Sequence, residues 1–159
     1  MKAGKGSDVF TKAKRSAVMS RIRSAGNKDT ELRLIAIFRA QGIVGWRRGA
    51  TIRGRRADDG GQASKFAVKP DFVFRALKLA VFVDGCFWHG CPRHFIKPKN
   101  NAAFWWKKIA ANRTRDRLVT RTLRRLGWKV LRIWEHELVR RDEPRLIRRL
   151  SGLASISVH

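Results

Sequence analysis

Acidic residues are scarce in this chain: 12 Asp and Glu face 37 Lys and Arg among 159 residues, a formal net charge of +25. Self-repulsion of that size opposes folding and is best explained by a polyanionic partner. Cysteine is also rare, two residues in all, too few for the disulfide framework of a small secreted domain. No apolar run approaches the length of a membrane span. The lysines near the N-terminus have no apolar stretch behind them, so that segment does not read as a signal peptide. No internal repeat is present. What remains is one domain with one core, 43% hydrophobic and expected in the cytoplasm.

The abundant residues narrow the partner. Arginines interleave with six tryptophans. Guanidinium groups grip phosphates and indole rings stack or wedge against bases, which favours nucleic acid over mere solubility or an anionic membrane surface.

Patterning predicts a mixed α/β domain, helices flanking a small sheet. Phe10, Ala13, Ala17, Val18 and Ile22 mark a short basic helix, broken at 24–28. A second helix starts near Asp29 or Thr30, carries an apolar stripe of Leu32, Ile35, Ala36 and Phe38, and stops at Gly42. Residues 43–48 suit a short strand, and Arg53–Ser64 reads as a basic, glycine-containing loop. Strands at 71–74 and 79–83 flank a tight turn at Arg75-Ala76-Leu77-Lys78. A long amphipathic helix fits 101–126, with Phe104, Trp105, Ile109, Leu118, Val119, Leu123 and Leu126 available to its buried side and Gly127 as its stop. A strand over 128–134 and a short helix over 143–150 complete the chain. Trp128 and Trp134 are expected in the core.

Chemistry concentrates in Val83-Asp84-Gly85-Cys86-Phe87-Trp88-His89-Gly90-Cys91-Pro92-Arg93-His94, which holds both cysteines and two of the four histidines. Cys86-x4-Cys91-x2-His94 is plausible spacing for zinc, with a fourth ligand needed from elsewhere. His136, just past a strand, is the better choice over the terminal His159. Two buried free thiols or a small disulfide are the alternatives, the latter disfavoured in a reducing cytoplasm. The hairpin brings Asp71, the Val83 carbonyl and Asp84 together, oxygen ligands of the kind Mg²⁺ prefers. Glu31 can orient water there from the preceding helix. A strand-end Asp is otherwise a common turn or cap residue. His89 can take a proton from an attacking water, or serve as a zinc ligand or a DNA contact. Trp105 and Trp106 are adjacent on a helix, so both cannot face one interior.

These residues carry a family resemblance from about Asp8 to Leu138. The matching motifs are Arg15-Ser16-x-x-Met19-Ser20-x-Ile22, Thr30-Glu31-Leu32, Pro70-Asp71, Gly85-Cys86-Phe87-Trp88-His89, Pro98-Lys99-x-Asn101, Phe104-Trp105, Asn112-x-x-x-Asp116 and Gly127-Trp128-x-Val130-Leu131-x-Ile133-Trp134-Glu135. The chain resembles the very-short-patch-repair T·G mismatch endonucleases, a branch of the restriction-endonuclease-like fold. The resemblance implies a Mg²⁺-dependent hydrolase that nicks one DNA strand 5′ of the mismatched thymine. Asp71 then matches the main Mg²⁺ carboxylate, with the Val83 carbonyl beside it. Glu31 helps organise the water, His89 matches the histidine that activates the nucleophile, and Asp116 the supporting acid. Phe87, Trp88 and Trp105 match the aromatics that wedge into the duplex. Arg15, Met19 and Asn112 join them as DNA-contacting positions. Cys86 and Cys91 match zinc-ligand positions, His94 and His136 completing the set. Residues 1–28 match an arm that clasps DNA, and 29–159 the endonuclease domain.

The resemblance departs in places. Asp84 stands where better-known members carry a second active-site histidine, leaving it a role as ligand rather than proton carrier. His94 is one residue out of the expected register, the basic 53–64 segment is longer than usual, and no Asp/Glu-x-Lys signature follows Asp71. The expected partner is double-stranded DNA with a T·G mismatch, bound by a monomer, with a mismatch-repair protein as a candidate second partner. The competing readings are a less selective restriction-like nuclease on the same core and a zinc-stabilised DNA-binding protein without catalysis.

Overall fold

A computed structural model of the chain describes residues 29–57, 63–97 and 101–154. The expected 1–28 arm, with Arg15 and Met19, lies outside the described residues. Helix α1 spans 29–40 and is followed by strands β1 (Trp46–Arg48), β2 (Ile52–Ala57), β3 (Ala63–Val68), β4 (Phe72–Phe74) and β5 (Leu79–Asp84). Helix α2 (Ala102–Arg125), strand β6 (Lys129–Trp134), a 3-10 turn (Glu135–Leu138) and helix α3 (Glu143–Ala154) follow. The main sheet has the order β1-β4-β5-β6. Its first two pairings are antiparallel and β5·β6 is parallel, with Asp84 opposite Trp134. A parallel pair needs a long crossover, and the cysteine segment with α2 supplies it.

Both long helices stop where glycine permits it. The Ile43 N–H reaches the Phe38 carbonyl at 2.8 Å, and that of Trp128 reaches Leu123 at 2.9 Å. These are Schellman closures, with Gly42 at φ 64 and Gly127 at φ 79.

Strand alternation divides the core between the two faces of the sheet. Phe72, Phe74, Leu79 and Val81 pack with Leu34, Ile37 and Phe38 of α1 and Leu146 and Leu150 of α3. Val73 and Ala80 face the other way, toward Ile52, Phe66 and Val68 of a β2–β3 ribbon and Val119 and Leu123 of α2. Phe82 and Asp84 belong to this second face by the same period of two, which turns Asp84 toward α2.

Four expectations change. Within the 53–64 segment the described residues 53–57 and 63–64 form not a loop but strands of an antiparallel ribbon, with Ile52 opposite Val68 and Ala57 opposite Ala63. Its alternation was masked because the residues pointing away from the core are Arg53, Arg55 and Lys65, all exposed, while Ile52, Phe66 and Val68 cover the sheet. The α1 face is rotated: Leu34, Ile37 and Phe38 are buried, whereas Leu32 is 55% exposed. On α2, Phe104 and Leu118 lie at the surface; Trp128 packs against the core as expected, whereas Trp134 is only half-buried. None of the described helices is long and apolar enough to cross a membrane.

Phe38 is the hinge of the larger cluster, with ring centroids 5.3 Å from Phe72, 5.7 Å from Phe74 and 5.9 Å from Trp46. Phe38→Ala should cost about 3–5 kcal/mol, read as a lowered urea midpoint at unchanged slope.

Candidate active site and metal cluster

The acids gather where the strands end. The Asp71 carbonyl accepts from the Gly49 N–H at 3.0 Å, and its carboxylate accepts from the Val83 N–H at 2.7 Å. Burial raises Asp71 to about 6, the Glu31 and Asp84 carboxylates adding to it against the pull of the Val83 N–H and Arg132. Such a carboxyl is relieved by a cation. Glu31, from the first turn of α1, is ion-paired with Arg48 of β1, whose register partner is Phe72, next to Asp71.

Asp84 is 4% exposed, and both its oxygens are taken. Arg132 of β6 grips it through Nε at 2.6 Å and Nη2 at 2.7 Å. The same Nη2 lies 3.0 Å from Asp116 Oδ1. Asp116 in turn receives His89 Nδ1 on Oδ2 at 2.5 Å. Burial works against the Asp116 charge, but His89, Arg132 and Arg115 together hold its carboxyl below the usual range. An ionised Asp116 only accepts, so His89 carries its proton on Nδ1 and leaves Nε2 as a base. Asn112, Asp116 and Thr120 recur at four-residue spacing and share one face of α2. Asn112 Nδ2 donates to the Trp88 carbonyl at 2.8 Å, and Thr120 Oγ1 lies 3.4 Å from Arg132.

The cysteine loop is a separate construction. Cys91 N–H bonds to the Cys86 carbonyl at 2.8 Å, Gly90 turns at φ 60, and the Cys86 N–H donates to the Glu135 carboxylate at 3.1 Å. Cys86, Cys91, His94 and His136 offer donor atoms that all lie within 4.8 Å of one another. Cys86 Sγ is 3.3 Å from His136 Nδ1, and Cys91 Sγ is 3.6 Å from His136 Nδ1 and 3.8 Å from His94 Nδ1. A tetrahedron with metal–sulfur bonds near 2.3 Å and metal–nitrogen bonds near 2.0 Å has S···N edges of about 3.5 Å. The four residues fit a tetrahedral metal ion. Burial, with Cys91 alongside, pushes the Cys86 thiol up to about 11. Burial and the neighbouring His94 lower His136, leaving it in the neutral form a metal requires.

Above the loop sits an aromatic cluster. Phe87, Trp88 and Trp105 meet with centroids 5.3–5.8 Å apart, in edge-to-face contact. Phe95 joins Phe87 at 6.0 Å and Trp106 at 5.6 Å. Phe104 lies 5.3 Å from Trp105 and is 61% exposed, and Trp106 is 45% exposed.

Sequence reasoning thus named the four Cys and His residues that the structure brings together, and named His89 and Asp116 separately without their contact; it missed Arg132. One signal was available: Arg132 stands between the apolar Leu131 and Ile133 inside a strand. It also missed Glu135, Phe95 and the surface position of Phe104.

The sequence model of the DNA mismatch endonuclease Vsr family matches residues 7–94. Similar over most of its length are the DNA mismatch endonuclease Vsr of Escherichia coli K12, 34% identical over 86% of this chain and 78% of that one, and the type II nicking enzyme V.NmeAIP of Neisseria meningitidis, 38% identical over 82% and 84%. The chain belongs to the Vsr family. The type II nicking enzyme V.NaeI of Lentzea aerocolonigenes is 56% identical over 44% of this chain, a match that spans only 42% of that enzyme.

Asp84 and Arg132 should be strongly coupled. Removing Arg132 alone leaves a buried charge unpaired, so Arg132→Gln should cost about 3 kcal/mol or more. Combining it with Asp84→Asn should recover over 1 kcal/mol of that loss in a double-mutant cycle by urea denaturation.

Proposed function

We propose that the protein is a Mg²⁺-dependent endonuclease that nicks one DNA strand 5′ of the thymine in a T·G mismatch, as in very short patch repair. The observation that carries this reading is the His89–Asp116 contact at 2.5 Å, in a chain of the Vsr family whose E. coli member is named a DNA mismatch endonuclease. The nicking named for the Neisseria and Lentzea relatives supports single-strand cleavage. In this reading residues 29–159 are a restriction-endonuclease-like domain, residues 1–28 a DNA-clasping arm, and the enzyme works as a cytoplasmic monomer.

Asp71 and the Val83 carbonyl would hold Mg²⁺, which supplies Lewis-acid polarisation of the scissile phosphate. His89 Nε2 takes a proton from the water that attacks phosphorus, while the bond from phosphorus to the leaving strand end breaks. Asp116 holds the imidazole and favours its protonated form as the proton arrives. Arg132 keeps Asp116 ionised. Glu31 orients the water. Asp84, with both oxygens on Arg132, acts through that arginine rather than as a ligand or proton carrier. Phe87, Trp88 and Trp105 wedge into the stack, which costs less at a mispair, and Asn112 steadies Trp88 rather than reading DNA itself. Cys86, Cys91, His94 and His136 would hold a structural Zn²⁺ that takes no part in the chemistry.

With Mg²⁺, matched, T·G and A·C duplexes should differ: a nick is expected only in T·G. Equal cutting of all three would sink the mismatch specificity, and tight binding without cutting would leave a DNA-binding protein. Asp71→Ala should abolish nicking while keeping zinc content and DNA affinity.

The wild type should copurify with one zinc per chain. His136→Ala should lose most of that metal and melt at a lower temperature. Full zinc content in this variant, measured by elemental analysis, would remove His136 from the ligand set.

A further inference from the structure

The C-terminal half of α2 carries charge that the reading above does not use. The helix holds eight Lys and Arg against a single acid, Asp116, and Asp116 is already engaged by His89 and Arg132. Arg117, Arg121 and Arg125 follow at four-residue spacing, where like charges repel and weaken the helix. Arg124 lies beside them, and all four are exposed. Among the described residues no carboxylate pairs with any of them. The helix dipole favours cations at a C-terminus and accounts for Arg124 and Arg125 in the last turn. It does not account for Arg117 and Arg121 at mid-helix.

These side chains line a groove of about 680 Å³ whose remaining walls are Asp116, Thr120 and Arg132. The groove therefore opens on the residues that hold His89. From Asp116 to Arg125 the helix rises roughly 13 Å at 1.5 Å per residue. One strand of duplex DNA carries a phosphate per 3.4 Å of axis, about four over that length. At the far end Gly54 of the ribbon packs so closely on Leu126 that an added Cβ would stand 2.7 Å from its Cδ1. That contact brings the basic ribbon alongside.

We propose that this groove is a track for the phosphate backbone of the duplex flanking the cleaved bond, a DNA-docking surface separate from the aromatic loop. The proposal rests on the nuclease reading for its placement beside the reacting bond. Its chemistry is sequence-independent: the arginines set register and affinity, and they do not read bases.

The test uses the whole protein and a synthetic duplex, matched or with one T·G pair. Arg121→Gln/Arg124→Gln removes two charges and keeps helix propensity. Arg140→Gln/Arg141→Gln removes the same two charges from an exposed turn outside the groove. Without divalent cation, the slope of log affinity against log salt should shrink by about 1.8 for the groove variant, two contacts at about 0.9 each. The turn variant should keep the wild-type slope, and Arg121→Lys/Arg124→Lys should restore most of the loss. The deficit should be equal on matched and mismatched duplexes. With Mg²⁺ and saturating DNA the groove variant should nick at the wild-type rate, with a raised KM. A groove variant whose slope and affinity match those of the turn variant overturns the track. If no protein nicks any duplex while the slope difference persists, the track stands and the cleavage reading falls.

Discussion

The Arg132 guanidinium is the constraint on which the rest of the site depends. It leaves β6 to meet Asp84 at the end of β5 and Asp116 on α2, tying a parallel strand pair to its crossover helix. Without it, two carboxylates facing one interior would repel, and Asp84 would be a buried, unpaired charge. With it, Asp116 stays ionised and fixes the proton on His89. The same residue thus serves packing and proton placement, on a face the strand alternation had already chosen.

Among the described residues, most of the scarce acids have a structural task. Glu31 holds Arg48, Glu135 holds the Cys86 amide, Glu137 accepts from the Trp134 amide, and Glu143 pairs with Arg33. Carboxylates fasten the junctions of the fold, while most of the positive charge faces solvent. A surface left so basic attracts polyanions over its whole extent, so discrimination has to come from rigid features such as the aromatic loop rather than from charge.

Much of this was legible in the sequence. Gly42 and Gly127 end helices because each closure needs a left-handed residue there, a local requirement. The strands at 71–74 and 79–83 and the Cys86, Cys91, His94 and His136 cluster followed from patterning and ligand spacing, and His89 and Asp116 were named one by one from the family motif, their contact appearing only in the structure. What escaped depended on tertiary context. The ribbon hid because its outward positions are arginine and lysine, which mimic a loop by composition. Arg132 hid because its partners lie 48 and 16 positions away in a sequence of many arginines, and its apolar strand neighbours do not name those partners. The burial of Leu34 rather than Leu32 was decided by which side of α1 meets Phe72 and Phe74.

The β2–β3 ribbon has a consequence for how such a chain can diverge. Its two roots, Ile52 and Val68, are register partners, and they flank the Gly49–Asp71 backbone contact that anchors β4. Residues added or deleted in pairs at the distal end therefore extend or trim an antiparallel ladder without shifting the frame of either root. Asp71 stays in place while the appendage changes length. Exchange of that one module alters what the protein touches, generation by generation, and leaves Asp71 in place at the head of β4.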